Sequence, residues 1–263
     1  MKRMLLSFIA SFMLLIMLAG LATPAFAEGT APIAENLEIK TYRNTSVDGM
    51  LSAYDPESDI TGFEITTKPT KGDIKVEPNG HFIYTPFEGK KGRDYFGYKA
   101  IDSQGNMSQE ATAIIRIEKQ KKGVEYSDMD NRAGEYAAVT LSAKGIFTGE
   151  KIGKEYYFNP DKAVGCSEFL SICETVTGKK VISEQEAGSI TEKEAAKILN
   201  DMMELNDVEY LHADHEENDK MLQACMNLSA VGMIESFAEM DDELTREKAA
   251  VMLVKALSVI ENR

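Results

Sequence analysis

One short pattern occurs three times in the C-terminal half of the chain, as Val164-Gly165-Cys166-Ser167-Glu168-Phe169, Ile190-Thr191-Glu192-Lys193-Glu194-Ala195 and Leu244-Thr245-Arg246-Glu247-Lys248-Ala249. Each copy starts at an apolar residue and is followed by an apolar run with helical spacing. A segment repeated in this way is the sequence signature of a repeat architecture. We therefore predict that each copy begins a helix and that this half of the chain is an all-α repeat module.

The first copy lies within a longer series of local signals. Tyr126-Ser127-Asp128 precedes a predicted helix, and Ser127 or Asp128 is suited to cap it. Gly145 is placed to adopt the left-handed conformation after that helix, and Pro160 stiffens the approach to the next one, which reaches about Thr177. Over residues 124–178 this series resembles the S-layer homology domain.

The resemblance extends over the rest of the module. Residues 207–263 form a shorter repeat, in which Val231-Gly232-Met233-Ile234 matches the helix end at Lys144-Gly145-Ile146. Residues 179–206 hold a degenerate repeat, because too few residues separate Gly178 from Ile190 for a leading helix. The resemblance implies that the repeats pack as a pseudo-threefold helical module.

This family binds a secondary polysaccharide of the bacterial cell wall in grooves between its repeats, with help from a Thr-Arg-Ala-Glu motif. The resemblance therefore implies a glycan-binding module. The candidate glycan-binding residues are Thr245, Arg246, Asp128, Glu168, Thr191 and Glu194.

The motif combines a helix cap with a ligand contact. Thr191 and Glu194 keep both partners of a capping box, whereas Thr245 faces Lys248 where the acidic partner belongs. Arg246, at the first helical position, is expected to point outward and to pair with an anionic sugar substituent.

The other two copies lack this arginine, since the equivalent positions hold Cys166 and Glu192. We therefore expect binding in a single groove near Arg246. The alternative is that the repeats are kept as a folded scaffold with weak or no affinity for glycan.

A region of different composition precedes the module. Its apolar residues alternate with polar ones in short runs, which are separated by turn signals such as Asn79-Gly80. The predicted strands are residues 37–42, 51–54, 63–67, 74–76, 82–85, 95–101 and 113–117. About seven strands in such a length are typical of an immunoglobulin-like β-sandwich. We therefore predict a multidomain protein, with an all-β domain at residues 31–120 before the helical module.

Several segments of this domain are similar to the bacterial immunoglobulin-like or cadherin-like repeats of surface proteins. They are Ser52-Ala53-Tyr54-Asp55-Pro56-Glu57-Ser58-Asp59, Gly80-His81-Phe82-Ile83-Tyr84-Thr85-Pro86, Asp94-Tyr95-Phe96-Gly97-Tyr98 and Asp102-Ser103-Gln104-Gly105-Asn106. Such repeats are spacers and adhesion modules, so the resemblance implies a role in display or contact.

Two polar loops are expected at the same end of this sandwich. One carries Asp55, Glu57 and Asp59, and the other carries Asp102 and Asn106. Hard oxygen ligands from two loops are what Ca²⁺ requires, and the first loop resembles the calcium segments of cadherin-like domains. The alternative is that these residues only form turns and cap the ends of the sheets, in which case no cofactor is required.

The N-terminus indicates export. Residues 1–27 have the layout of a secretory signal peptide, with Lys2 and Arg3 before a long apolar run that ends at Ala25-Phe26-Ala27. Cleavage after Ala27 is expected, and an uncleaved membrane anchor is the alternative. The formal net charge of −14 argues against nucleic acid or anionic lipid as a partner.

No enzymatic motif accompanies these features. The sequence holds no nucleophile elbow, phosphate loop or metalloprotease signature, and Cys166, Cys173 and Cys225 are expected to be small buried residues without a disulfide framework. The sequence predicts a non-catalytic exported protein that is attached to the cell wall by its helical module and displays the immunoglobulin-like domain. The alternative is a secreted interaction or adhesion protein whose sandwich binds a protein or glycan and whose repeats are only a scaffold.

Overall fold

The structure is a computed structural model that describes residues 29–120, 124–180, 188–208, 217–234 and 240–261. The predicted signal peptide and the linker residues 121–123 lie outside the described residues. The strands of the first domain are β1 (Ile33–Ala34), β2 (Leu37–Tyr42), β3 (Val47–Met50), β4 (Ala53–Tyr54), β5 (Ile60–Thr67), β6 (Gly72–Val76), β7 (His81–Pro86), β8 (Gly92–Asp102) and β9 (Ala111–Glu118).

The first domain is the predicted all-β sandwich. Its larger sheet has the order β2-β9-β8-β5 and its smaller sheet has the order β3-β7-β6, while β1 pairs with β4 alone. Strands β2 and β9 run parallel, and the neighbours in the smaller sheet run antiparallel. The aromatic core lies between the sheets, where the ring centroids of Phe82 on β7 and Phe96 on β8 are 5.4 Å apart. This domain contains no cysteine, so these large buried rings stabilise the sandwich without a disulfide between the sheets.

Two strands of this domain, β1 and β3, were missed in the sequence. The predicted run at residues 51–54 supplies only the short β4, whereas β3 lies directly before it and pairs with β7 along its whole length. The alternation in β3 is interrupted by Gly49, where a Cβ atom would come within 2.5 Å of the Phe82 ring. The glycine that hides this strand in the sequence is therefore what allows the strand to pack on the core.

The second domain is helical. Over the described residues its helices are α1 (Glu135–Ala143), α2 (Cys166–Thr177), α3 (Glu192–Met203), α4 (Glu217–Ala230) and α5 (Arg246–Glu261). Helices α2, α3 and α5 begin within the three copies of the repeated pattern, as predicted. None of the helices in the described part of the chain is long and apolar enough to cross a membrane.

The C-terminal ends of α1 and α4 have the same geometry. The amide of Gly145 donates to the carbonyl of Ser142 and the amide of Ile146 donates to that of Leu141, with Gly145 at φ +68°. At the end of α4, the amide of Gly232 donates to the carbonyl of Ser229 and the amide of Met233 donates to that of Leu228, with Gly232 at φ +71°. Both ends use a left-handed glycine to pair the last helical carbonyls, which is the feature that the two glycines predicted.

A short hairpin occupies the loop between α1 and α2. Its strands are β10 (Glu150–Ile152) and β11 (Glu155–Tyr157), and Gly153 turns between them with φ +65°. No strand was predicted at this place. The run is too short and too exposed to show the periodicity by which strands are recognised.

The three copies of the repeated pattern meet in a closed ring at the centre of the helical module. The amide of Val164 donates to the carbonyl of Leu244, that of Leu244 to Ile190, and that of Ile190 back to Val164, at 2.7–3.1 Å. All three side chains are at most 2% exposed. Because buried backbone groups must be paired, the ring satisfies three donors and three acceptors that lie away from water. The starts of α2, α3 and α5 are thereby fixed around one point.

The two domains contact each other through β3 and α1. The amide of Ser46 donates to a carboxylate oxygen of Glu135 at 2.9 Å, and the amide of Tyr136 donates to the carbonyl of Ser46 at 3.2 Å. The rings of Tyr42 and Tyr136 lie 5.2 Å apart beside these bonds. Glu135 is only 7% exposed, and burial raises its pKa to about 7, with a further increase from the charge of Asp130.

This buried carboxyl makes stability depend on pH. Because the pKa of Glu135 in the folded state lies above its ordinary value of 4.5, the folded protein holds this proton more tightly than the unfolded chain does. Stability is therefore expected to fall as the pH rises from about 4.5 to about 7 and to level off above that. Glu135→Gln should remove a few degrees of the difference between the melting temperatures at about pH 5 and about pH 8. An unchanged difference in the variant would contradict this assignment.

Candidate functional site

Arg246 is buried beside the ring. Its guanidinium donates to the carbonyl of Phe158 at 2.8 Å, to the carbonyl of Thr148 at 2.8 Å and to the carboxylate of Glu168 at 2.7 Å. It also lies over the rings of Phe147 and Phe158, at 4.2 and 4.9 Å from their centroids. The prediction that Arg246 points outward to a sugar substituent is therefore wrong, since a planar cation with several donors is satisfied here by acceptors and aromatic faces of the protein.

The capping box predicted at the start of α3 is present. The hydroxyl of Thr191 accepts from the amide of Glu194 at 3.2 Å, and the carboxylate of Glu194 accepts from the amide of Thr191 at 2.9 Å. Both side chains are therefore engaged in holding the helix N-terminus.

The start of α5 is held differently. The hydroxyl of Thr245 accepts from the amide of Lys248 at 3.3 Å, and the ammonium group of Lys248 forms an ion pair with Glu192. The residue that departs from the motif thus ties α5 to α3. Glu168, which faces no hydroxyl cap at Gly165, pairs with Arg246 and links α2 to α5.

Asp128 was one of two residues predicted to cap a helix, but its side chain binds a different segment. Its two carboxylate oxygens accept from the amides of Phe158 and Asn159 at 2.8 and 2.7 Å. Asn159 has a positive φ of 57°, so the carboxylate stabilises a turn with unusual backbone geometry just before α2. This is a bond between segments far apart in the sequence, which local capping rules do not reveal.

A groove of about 670 Å³ lies between the sandwich and the helical module. Its volume falls within the range of small-molecule sites, roughly 300–1,000 Å³. The groove is lined by Asp48, Glu77, Asn79, His81, Ala133, Glu192, Met233, Ile234, Met240, Glu247, Lys248, Val251, Met252 and Lys255.

The helical wall of this groove combines an apolar surface with paired charges. Glu192 pairs with Lys248, and Glu247 accepts from Arg132 at 2.8 Å. Sequence reasoning assigned no ligand contact to Lys248 or Lys255. The spacing of residues 248, 251, 252 and 255 places them on one face of α5, and that is the signal by which the wall could have been found.

The polar loops at the far end of the sandwich also come together. Oxygen atoms of Asp55, Asp59 and Asp102 lie within 4.8 Å of one another. Asp55 and Asp102 are 5% and 3% exposed, and the Oδ2 atom of Asp55 is buried without a hydrogen-bond partner. A buried carboxylate oxygen without a donor carries a desolvation cost, which a bound cation would remove.

The other two predicted ligands are placed differently. Glu57 lies in the same loop and accepts weakly from the amide of Thr30 at 3.5 Å. The amide group of Asn106 donates to the Oδ2 atom of Asp102 at 2.8 Å. Although burial raises the pKa of Asp102, hydrogen bonds from Asn106 and Gln104 hold it below its ordinary value. Asp102 is therefore ionised at neutral pH, beside two further carboxyl groups.

Comparison with known proteins supports the assignment of the sandwich. Residues 29–117 match the family described as the bacterial Ig domain, and this match ends before the helical module. The first domain is thus a bacterial immunoglobulin-like domain. No curated protein matches the chain.

Several solved structures are similar to part of this chain at low identity and low TM-score. A mutant of the SrpA adhesin from Streptococcus sanguinis is 13% identical over 38% of this chain and 64% of its own, with a TM-score of 0.28. The sialic acid binding region of the Streptococcus sanguinis SK1 adhesin is 16% identical over 44% and 37%, with a TM-score of 0.28. The fibronectin(III)-like modules of Clostridium thermocellum CbhA are 13% identical over 34% and 47%, with a TM-score of 0.26. The chain covers less than two thirds of each.

Proposed function

We propose that this is an exported, non-catalytic surface protein whose helical module attaches it to cell-wall polysaccharide and whose immunoglobulin-like domain is displayed. The observation that carries the proposal is the ring of Val164, Ile190 and Leu244. A ring of equivalent residues at the starts of three helices is the arrangement expected of S-layer homology repeats. The local match in residues 124–178 supports the same assignment.

The groove beside this ring offers the contacts that a saccharide needs. Its helical wall presents the partly exposed apolar side chains of Ile234 and Val251 together with the polar groups of Glu192 and Lys248. Apolar surface suits the faces of sugar rings, while carboxylates and ammonium groups hydrogen-bond to hydroxyls. We therefore place the polysaccharide in this groove and assign Arg246 a supporting structural role.

A catalytic role is not part of the proposal. The cysteines Cys166, Cys173 and Cys225 are buried. Burial raises the pKa of the Cys173 and Cys225 thiols, which keeps them protonated and poorly nucleophilic. The carboxylates of Glu192 and Glu247 are held in ion pairs on the groove wall. These groups are arranged for structure and recognition.

The burial of Arg246 favours one competing function, that of a secreted interaction or adhesion protein in which the repeats are only a scaffold. In that case the sandwich binds the protein or glycan partner. Fractionation of the producing cells separates the two proposals. Retention on the wall after a salt wash supports attachment, whereas release into the medium supports the scaffold.

Binding to purified cell-wall sacculi tests the groove itself. The double variant Lys248→Ala/Lys255→Ala removes two donors from α5 and is expected to weaken binding by at least about tenfold for each donor, since a hydrogen bond to a charged group contributes roughly 1.5–3 kcal/mol. Lys197→Ala is the matched control, because Lys197 pairs with Asp201 on α3 and does not line the groove. Equal binding by the double variant and the control would exclude this groove.

We also propose that the sandwich binds calcium through Asp55, Asp59 and Asp102. The buried and unpartnered Oδ2 atom of Asp55 supports this proposal, together with the ionised Asp102 beside it. Carboxylates from two loops are a suitable ligand set for this cation. Bound calcium would tie the two loops together and stiffen the end of the displayed domain.

A further inference from the structure

We propose that the groove between the domains takes a saccharide segment without net charge, and that the sandwich and the helical module bind it together. This inference rests on the proposed attachment function and specifies its ligand. It also gives the immunoglobulin-like domain a direct part in attachment, in addition to being displayed.

The sandwich forms one complete wall of the groove. Asp48 lies on β3 and His81 on β7, and the turn between β6 and β7 contributes Glu77 and Asn79. The Oδ1 atom of Asn79 accepts from the amide of His81 at 3.0 Å, which fixes the shape of this turn. A ligand that fills the groove therefore contacts polar side chains of the sandwich on one side and α5 on the other.

The position of this wall is set by the contact between the domains. Ser46, which bonds to Glu135 and Tyr136, directly precedes β3, the strand that carries Asp48. The residues on the two walls are therefore held at a fixed distance by bonds within the protein. Preorganisation of this kind lowers the entropy lost on binding.

The charges of the groove disfavour a polyanion. Its described lining includes four carboxylates, those of Asp48, Glu77, Glu192 and Glu247, against the ammonium groups of Lys248 and Lys255. Glu192 pairs with Lys248 and Glu247 pairs with Arg132, so the lining together with Arg132 keeps a small excess of negative charge. An acidic polymer would have to approach this excess of carboxylates, and like charges brought together in a groove oppose binding.

A polyhydroxylated ligand without net charge meets no such repulsion. Carboxylates and the imidazole accept or donate hydrogen bonds to hydroxyl groups, and two ammonium groups supply further donors. The partly exposed side chains of Ile234 and Val251 lie among them and offer an apolar surface to the face of a sugar ring. A zwitterionic amino sugar is compatible with the same mixture of charges.

The test uses the full chain and purified sacculi of the producing cells at two salt concentrations. Glu77→Ala and His81→Ala alter the sandwich wall, and Lys75→Ala is the matched control on the neighbouring strand outside the groove. Glu77 is largely exposed, so its variant keeps the fold even where His81→Ala lowers the melting temperature. Both sandwich-wall variants are expected to bind severalfold more weakly, and the control as tightly as the parent chain.

Salt separates the ligand classes. Binding of an uncharged ligand is expected to change less than about twofold between about 0.05 and 0.5 M NaCl, because screening weakens only interactions between charges. Parent binding that is lost in high salt, or sandwich-wall variants that bind like the control, would overturn this inference while attachment through the module stands. Absence of parent binding at both salt concentrations would overturn the attachment function and this inference with it.

Discussion

Replacing Arg246 with alanine is expected to lower the free energy of unfolding of the helical module by about 3 kcal/mol. The change removes three hydrogen bonds and leaves the carbonyls of Phe158 and Thr148 without their donors. An orphaned buried acceptor costs roughly 1–3 kcal/mol. The substitution also opens a cavity against the rings of Phe147 and Phe158.

The measurement is chemical denaturation followed by the helical circular-dichroism signal. Arg132→Ala is the matched control, because Arg132 pairs with Asp161 and Glu247 but its side chain is 33% exposed, against 9% for Arg246. A partly exposed ion pair contributes about 1 kcal/mol or less. Arg246→Lys keeps the charge without the planar fork of donors, so an intermediate loss is expected. Equal losses of stability for the two arginine-to-alanine variants would contradict the structural role of Arg246.

Calcium at about 10 mM is expected to stabilise the sandwich by about 1–3 kcal/mol, given dissociation constants of about 0.1–1 mM for calcium sites of extracellular modules. The cation would neutralise the repulsion among Asp55, Asp59 and Asp102 and would complete the coordination of the buried Asp55 oxygen. The melting temperature of the sandwich, measured with calcium and with a chelator, reports this effect.

The variant Asp55→Asn sharpens the calcium test. It removes one of the converging charges, so the chelated variant should melt no lower than the chelated parent, and its response to calcium should disappear. Asp73→Asn changes an exposed carboxylate on β6 and should leave the response intact. The calcium site would be refuted if the melting temperature of the parent chain were the same with calcium and with chelator.

The sequence predicted most of the secondary structure because the signals for it are local. The capping box of Thr191 and Glu194, the left-handed Gly145 and Gly232, and the alternation of β8 and β9 all depend on residues a few positions apart. The exceptions are β1, β3 and the β10–β11 hairpin, which are short and are ordered by the strands with which they pair. Local patterns are weak for such elements.

The candidate sites depended on distant contacts to different degrees. Two loops that were expected at the same end of the sandwich bring Asp55, Asp59 and Asp102 together, so this cluster followed from topology. Sequence reasoning placed a groove near Arg246 but gave no lining residues from the sandwich, because Asp48 and Lys255 lie in different domains. No spacing rule connects them.

The repeated segment shows where the two kinds of information separate. By itself, the sequence determined that three copies begin three helices, since caps and apolar periodicity act over one or two turns. Only the tertiary structure decided that the copies close a ring and that Arg246 turns inward to Phe158, Thr148 and Glu168. The direction of a long cationic side chain is set by acceptors and rings that other parts of the chain bring to it, so the same motif can bind a ligand or hold the fold.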